Sequence, residues 1–321
     1  MLFKHCLKAY IMILFELQME HKMKKIVTLG INLGDDHKKR LEAAGKLEIL
    51  DSPENVADFL DKTKGADVIY SDGDYLLESL PQLKNVFVTY PYIELGVFDS
   101  EELAKNGVLV ANAQGGNRDS IVEWVMFMAL SLFRRFTPMV RAKESFPFEL
   151  NESLFGKKVL IIGHGSIGSQ IGVMCNAFGM RVTFFEKGED LIAESKDADL
   201  VINALNCNST SKNLLDESFF MNLKNGCYFI TFARPYTYDV DGLIRSINAE
   251  IVAGAAIDCD PESFGDTTNE FYKKALSNPK ILVTPHVAFS TKQASVNGRE
   301  IAVQNIEAFL AGKPKNILKK K

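Results

Sequence analysis

The second half of the chain carries a polar group at the end of each of three apolar segments: Arg234 in TFARP, Asp258 to Glu262 in AIDCDPE, and His286 in TPHVAF. Open α/β sheets bind ligands beyond the carboxyl ends of their strands, so we expect these groups to face one crevice. Histidine supplies a base of near-neutral pKa, which the oxidation of a hydroxyl group by hydride loss requires. A carboxylate beside it would hold the imidazole in one tautomer, and a guanidinium can bind a substrate carboxylate and polarise a carbonyl. The set predicts hydride transfer on a hydroxy acid. The structural alternatives are a surface arginine, a solvated loop acid and a core histidine.

A nucleotide-binding segment precedes these groups, at residues 156–186. An apolar strand leads directly into Gly163, Gly165 and Gly168, which have the spacing G-x-G-x-x-G. The first glycine allows a tight turn, the second lets the backbone approach a pyrophosphate, and the third lets helix and strand pack closely. Glu186 ends the next strand, where a carboxylate accepts hydrogen bonds from an adenosine ribose and repels a 2′-phosphate. The segment therefore predicts dinucleotide binding, with NAD favoured over NADP.

The remaining histidines suit the catalytic role less well than His286. His5, His21 and His37 lie outside the nucleotide-binding unit, and His164 occupies the variable position of the glycine turn, where we expect solvent exposure.

Strands and helices alternate from Lys25 to about Asn112 and again from Lys157 to about Pro285. This pattern predicts an α/β protein with two doubly wound parallel sheets. A long helix begins near Asn117 or Asp119 between them. Its segment from Ile121 to Phe133 is apolar on nearly every face, which predicts burial all round, between domains or between subunits.

Composition narrows the class of protein further. A net charge of −4 gives no basic surface for nucleic acid, and no His/Cys/Asp cluster has metal-ligand spacing. Scattered cysteines without a C-x-x-C pair indicate free thiols in a reducing cytoplasm. Residues 1–22 loosely imitate a secretory signal, but Glu16 and Glu20 follow the apolar run and no cleavage site is evident. We interpret them as an extension outside the folded core of a cytoplasmic protein with no membrane span.

Several motifs occur in a fixed order along the chain: NAQGGN followed by VEW, the glycine turn, LKNGCYFITFAR, GAAID followed by PE, TPHVAF, and EAFLAGKPKN. On these motifs, residues 24–318 resemble the D-isomer-specific 2-hydroxyacid dehydrogenases. The resemblance implies NAD as cofactor and a 2-hydroxy or 2-keto acid as substrate. It also implies a Rossmann NAD-binding domain (113–289) inserted in a flavodoxin-like substrate domain (23–112 and 290–321), and a homodimer formed through the long helix.

The resemblance implies individual roles as well. The catalytic residues would be Arg234, Glu262 and His286, and Asp258 would contact the nicotinamide carboxamide. The residues implied in cofactor binding are Gly163, Gly165, Ser166, Ile167, Gly168, Glu186, Asn208, Phe232, Arg234, Asp258 and His286. Those implied in substrate binding are Tyr92, Ile93 and Arg234.

The chain departs from the family pattern at three places. Tyr90 to Glu94 replaces a loop of small residues that holds the substrate carboxylate, so pocket size is expected to differ. Pro235 stands where glycine is usual and must change the turn locally. The loop from Asp258 to Glu262 is one residue shorter than usual, which leaves Asp260 as the alternative partner of His286. The altered carboxylate loop sustains a second hypothesis, a catalytically weak NAD(H)-binding protein of regulatory or corepressor-like function.

Overall fold

A computed structural model describes residues 23–93, 98–143, 145, 150–259 and 265–318. These residues form two units. The first contains the described residues up to Gly116 together with those from Ser295 onward, and the second runs from Asn117 to Ala294. The chain thus leaves the first unit once and returns to it, a few residues after each of the two predicted boundaries. Residues 1–22 lie outside the described part.

The strands of the described residues are β1 Lys25–Leu29, β2 Lys46–Leu50, β3 Val68–Ser71, β4 Val86–Thr89, β5 Val108–Ala111, β6 Lys158–Ile162, β7 Arg181–Phe185, β8 Leu200–Asn203, β9 Cys227–Thr231, β10 Val252–Asp258 and β11 Ile281–Thr284. The helices are α1 Asp35–Ala44, α2 Val56–Lys62, α3 Leu76–Ser79, α4 Ser100–Lys105, α5 Arg118–Phe133, α6 Phe136–Arg141, α7 Ser166–Ala177, α8 Leu191–Ser195, α9 Glu217–Met221, α10 Val240–Asn248, α11 Glu270–Leu276 and α12 Lys292–Leu310. Short 3-10 helices occupy Leu80–Gln82 and Pro235–Thr237.

Each unit is built on one sheet. The first has the strand order β2-β1-β3-β4-β5 and the second β11-β10-β9-β8-β6-β7, with parallel pairing throughout. The first order is that of flavodoxin-like sheets. The second has the same order with one further strand added at the β11 edge. Its third strand, β8, therefore pairs with β6, whereas in the order 3-2-1-4-5-6 the third strand lies beyond the second, which is β7 here. The predicted fold class is confirmed.

The strand β6 explains how the second sheet is buried. Val159 and Ile161 belong to one apolar cluster and Leu160 and Ile162 to another, and all four side chains are fully buried. Because successive side chains of a strand point to opposite faces, both faces of the sheet are covered. The unbroken apolar run therefore has the structure that its sequence predicts.

The first unit completes its core with the end of the chain. Ala302, Ile306 and Phe309 of α12 pack in one cluster with Ile26 and Phe87. The rings of Phe87 and Phe309 stack with centroids 4.4 Å apart.

The long helix α5 buries most, but not all, of its apolar side chains within this chain. Most of its apolar side chains join the core of the second unit, but Phe127 is 55% exposed and Leu130 is 37% exposed. Burial of this face between subunits, the alternative that the sequence left open, stays a prediction. None of the helices in the described ranges combines the length and hydropathy that crossing a membrane requires.

Candidate functional site

The three glycines of the turn after β6 differ in what an added side chain would contact. Gly163 has φ +113°, and a Cβ added there would lie 2.4 Å from the carbonyl oxygen of Ala204. A Cβ on Gly168 would lie 1.9 Å from the carbonyl oxygen of Gly163, so the start of α7 crosses the turn in backbone contact. A Cβ on Gly165 would meet no atom within 4 Å. The first and third glycines therefore serve the fold, whereas the second keeps open space in front of the helix.

The start of α7 suits a pyrophosphate. Gly165 is the N-cap, and Ser166 and Ile167 form the first turn, whose N–H groups have no acceptor within the helix. Such N–H groups and the positive end of the helix dipole attract phosphate. The turn also lies after β6, next to β8, where the order of the second sheet reverses and ligands bind in such folds. The residues present therefore fit a dinucleotide.

Glu186 lies just beyond the end of β7, the strand next to β6, with its carboxylate exposed. Its Oε1 is 2.8 Å from Nδ1 of His164, and the His164 ring stacks on Phe184 with centroids 3.9 Å apart. Sequence reasoning treated His164 only as an exposed turn residue. It is exposed, but it is held beside the carboxylate predicted to bind the ribose. The two residues are 22 positions apart in the sequence, and no sequence pattern predicts that they pair.

Three of the predicted site residues lie at the carboxyl ends of neighbouring strands. Arg234 follows β9, Asp258 ends β10, and His286 follows β11, and these strands are adjacent in the sheet. Arg234 is exposed and His286 is half-buried. Glu262 and its alternative Asp260 lie outside the described residues.

Asp258 is a buried acid whose hydrogen bonds surround His286. Its Oδ1 accepts from the hydroxyl of Thr284 at 2.6 Å and from the backbone of Val287 at 2.9 Å, and its Oδ2 accepts from the backbone of Ala288 at 2.9 Å. Burial raises the pKa of Asp258, and these hydrogen bonds oppose the rise. His286 itself adopts φ +55°, which is unusual for a side chain with a Cβ. The carboxylate thus holds both sides of a strained turn.

A buried polar network holds the turn at Arg234. Asn203 donates from Nδ2 to the hydroxyls of Thr231 at 3.2 Å and Thr237 at 3.0 Å, and all three residues are fully buried. The Thr237 hydroxyl donates to the carbonyl of Arg234 at 3.0 Å. Pro235 opens the short 3-10 helix at a position that needs no N–H donor, which explains how proline replaces glycine here. Sequence reasoning missed Asn203 and Thr237, because isolated polar residues in apolar segments do not reveal their partners.

Two further predicted cofactor contacts have structural duties of their own. Asn208 uses its amide within its loop: Oδ1 accepts from the backbone of Thr210 and Ser211, and Nδ2 donates to the carbonyl of Asn206. Phe232 packs, half-buried, against the core cluster that also contacts Ile167.

The loop predicted to hold the substrate carboxylate belongs to the first unit. Tyr92 is exposed, and its carbonyl accepts from the backbone of Ala113 at 2.8 Å. The Ile93 carbonyl accepts from Nδ2 of Asn112 at 2.6 Å and from the Tyr90 hydroxyl at 3.3 Å. Tyr90 is fully buried in the core of that unit, which corrects the interpretation that both tyrosines alter pocket size. Glu94 lies outside the described residues.

Cys175 and Cys227 lie in the core of the second unit. Both are free and fully buried, and burial raises the pKa of both thiols to about 12. No group of three or more His, Cys, Asp or Glu in the described part of the chain is arranged to hold a metal ion.

Comparisons with known proteins place the chain among nucleotide-dependent enzymes. Residues 124–288 match the family model described as D-isomer specific 2-hydroxyacid dehydrogenase, NAD binding domain. A D-lactate dehydrogenase of Staphylococcus aureus is 26% identical over 226 residues, which cover 63% of this chain and 68% of the relative. Two solved structures share the fold. A glyoxylate reductase from Paecilomyes thermophila has a TM-score of 0.78 at 16% identity, over 93% of this chain and 99% of the other. An NAD-complexed D-isomer specific 2-hydroxyacid dehydrogenase from Lactobacillus delbrueckii ssp. bulgaricus has a TM-score of 0.74 at 20% identity, over 92% of this chain and all of the other (100%).

Proposed function

Because the chain belongs to the D-isomer specific 2-hydroxyacid dehydrogenase family, we propose that it interconverts a 2-hydroxy acid and the corresponding 2-keto acid, with His286 and Arg234 as its catalytic side chains. Family membership makes the chain an NAD-dependent oxidoreductase. The D-lactate dehydrogenases among its relatives make D-lactate and pyruvate the first pair to test.

Bound NAD supplies the hydride acceptor, or as NADH the donor, at its nicotinamide ring. Residues of the glycine turn and Glu186 would hold its pyrophosphate and adenosine ribose. In the oxidative direction, His286 takes the proton of the substrate hydroxyl as the hydride leaves the carbon that bears this hydroxyl. In reduction, His286 returns a proton to the carbonyl oxygen. Arg234 binds the substrate carboxylate and polarises the reacting carbonyl. Glu262, or Asp260 in its place, would stabilise the protonated imidazole.

One observation carries the proposal. The Arg234 guanidinium follows β9, the buried Asp258 carboxylate ends β10, and the His286 imidazole follows β11, in the sheet that also carries the glycine turn. Carboxyl ends of parallel strands meet at one edge, so these groups share that edge with a nucleotide bound at the turn.

The test is His286→Ala, measured with NADH and a panel of 2-keto acids. Turnover should fall by about three orders of magnitude or more, because general acid–base catalysis contributes roughly 10²–10⁴-fold and the ring also orients substrate. NADH affinity, measured by fluorescence titration, should change little. His37→Ala is the matched control, since His37 pairs with Glu300 in the first unit and should leave turnover unaffected. Unchanged turnover in His286→Ala would refute the assignment. Tight NADH binding by the wild type, without oxidation by any keto acid, would favour the regulatory alternative.

We also propose a homodimer formed through the exposed face of α5. Phe127 and Leu130 lie beside a groove of about 420 Å³, which is lined by Met126, Met174 and Phe178 as well. Apolar side chains clustered on a surface are typical of protein–protein contacts. The proposed occupant is a second copy of the chain, as the family resemblance implies.

A further inference from the structure

His164 and Glu186 form a pair at the place proposed for the adenosine ribose. The Nδ1 to Oε1 distance is 2.8 Å, and stacking on Phe184 with ring planes only 12° apart fixes the orientation of the imidazole. Both side chains remain exposed, at 44% for His164 and 60% for Glu186, so a bound nucleotide can reach either of them. An exposed ion pair contributes little to folding, which leaves stability a weak explanation for this arrangement.

The ionisable residues of the segments beside the imidazole are Glu186 and its neighbours in the turn after β7, together with two cysteines. Beyond Glu186, the turn after β7 carries Lys187, Glu189 and Asp190, and the backbone N–H of Glu186 donates to Glu189 at 2.7 Å. Helix α7 carries no ionisable residue besides the buried Cys175. The segment after β8, residues 204–207, carries only Cys207. Glu186 is thus the charged group in hydrogen-bonding contact with His164.

Histidine is the one side chain whose unperturbed charge changes between pH 5 and 8. When the imidazole is neutral, the Glu186 carboxylate keeps its full negative charge and repels a 2′-phosphate. When the imidazole is protonated, the pair is neutral and offers a second N–H donor at Nε2. Because the two groups are in contact, protonation of one changes the field that the ribose meets.

We propose that His164 is a cofactor-specificity residue, which makes the preference for a ribose hydroxyl over a 2′-phosphate depend on pH through its pairing with Glu186. The inference rests on the proposed nucleotide site at the glycine turn. Discrimination against the 2′-phosphate is stronger at alkaline than at acidic pH.

The experiment measures binding rather than turnover. ADP-ribose and 2′-phospho-ADP-ribose are titrated into the full chain by calorimetry between pH 5.5 and pH 8, so the adenosine end is examined without the nicotinamide. The measured quantity is the Kd of 2′-phospho-ADP-ribose divided by the Kd of ADP-ribose. When the pH is lowered from 8 to 5.5, this ratio should fall at least about fivefold more in the wild type than in His164→Asn, as expected for one nearby charge at a protein surface. The asparagine keeps a donor beside Glu186 but cannot become charged. The 2′-phosphate titrates in both proteins, so the difference between them isolates His164.

Two further variants sharpen the test. Lys187→Gln removes the neighbouring cation and should retain the pH-dependent change of the ratio. Glu186→Gln should lose most of the discrimination at pH 8. Equal pH dependence in the wild type and His164→Asn overturns the role of His164 while the nucleotide site stands. Failure of the wild type to bind either probe overturns the nucleotide site, and the inference with it.

Discussion

The Asp258 carboxylate accepts a hydrogen bond from the backbone amide of Ala288 at 2.9 Å, across 30 residues of chain. With the bonds from Thr284 and Val287, it contacts donors on both sides of His286. The acid therefore fixes the backbone that presents the imidazole, in addition to the nicotinamide contact that the family resemblance implies.

Asp258→Asn should lower the free energy of unfolding by about 1–3 kcal/mol, because the amide group places donors against donors in a buried site. Turnover should fall by roughly tenfold or more as His286 loses its fixed position. Chemical denaturation and steady-state kinetics measure the two effects. Asp266→Asn is the control, since Asp266 accepts from the backbone of Thr268 in a surface turn. Wild-type stability and turnover in Asp258→Asn would contradict the positioning role.

Two glycines of the turn should separate folding from binding. A Cβ added at Gly165 meets no atom within 4 Å, and the φ of this residue is −87°, which any residue can adopt. The melting temperature of Gly165→Ala should therefore equal that of the wild type. Its methyl group occupies the space in front of α7, and NADH affinity should fall by about tenfold or more. Gly168→Ala should lose both stability and affinity, since its Cβ meets a backbone oxygen. Thermal melts and NADH fluorescence titration decide this, and an unaltered Kd for Gly165→Ala would argue against pyrophosphate binding there.

Thr237→Val tests the network that holds Arg234. The variant keeps the shape but removes the hydroxyl that accepts from Asn203 and donates to the Arg234 carbonyl. The expected destabilisation is about 1–3 kcal/mol, from buried polar atoms left without partners. The KM for the keto acid should rise several-fold while NADH affinity changes little. The control is Thr268→Val, which removes a threonine hydroxyl from the surface. If the two variants have the same KM for the keto acid, this network does not position Arg234.

Phe127→Asp should convert a dimer to monomers, because it places a charge in the centre of the proposed apolar interface. Light scattering coupled to gel filtration measures the mass. Leu276→Asp changes a comparably exposed apolar residue, 54% exposed on α11, and should leave the mass unchanged. A monomeric wild type, or dimeric Phe127→Asp, would refute the interface.

The stability of the first unit should depend on pH through Glu300. The hydrogen bond from Arg40, together with those from Gln304 and His37, lowers the pKa of Glu300 from its ordinary 4.5 to about 2. A lowered pKa adds stability above about pH 4.5, and that contribution disappears as the pH falls towards 2. Urea unfolding of Glu300→Gln should therefore differ most from the wild type near pH 6, and the difference should shrink as the pH falls from 4.5 towards 2. Glu42→Gln, on the exposed face of α1, should parallel the wild type across this range.

The sequence predicts the elements well because both sheets are parallel and covered on both faces. A continuous apolar run such as Val159 to Ile162 is typical of a strand that is buried on both faces of a parallel sheet. The glycine spacing is equally informative, since it follows from backbone contacts at Gly163 and Gly168. The positions of Asn203 and Thr237 were not predictable, because partners 34 residues apart leave no local pattern. The exposure of Phe127 was also not predictable, because the segment from Ile121 to Phe133 is apolar on nearly every face.

The division of the first unit between the two ends of the chain has a consequence for biosynthesis. Its core lacks Ala302, Ile306 and Phe309 until α12 has left the ribosome. The second unit is contiguous and has all its strands by Thr284. Since domains fold as units during translation, we expect the nucleotide-binding unit to fold first and the first unit to complete its core only after α12 has been made.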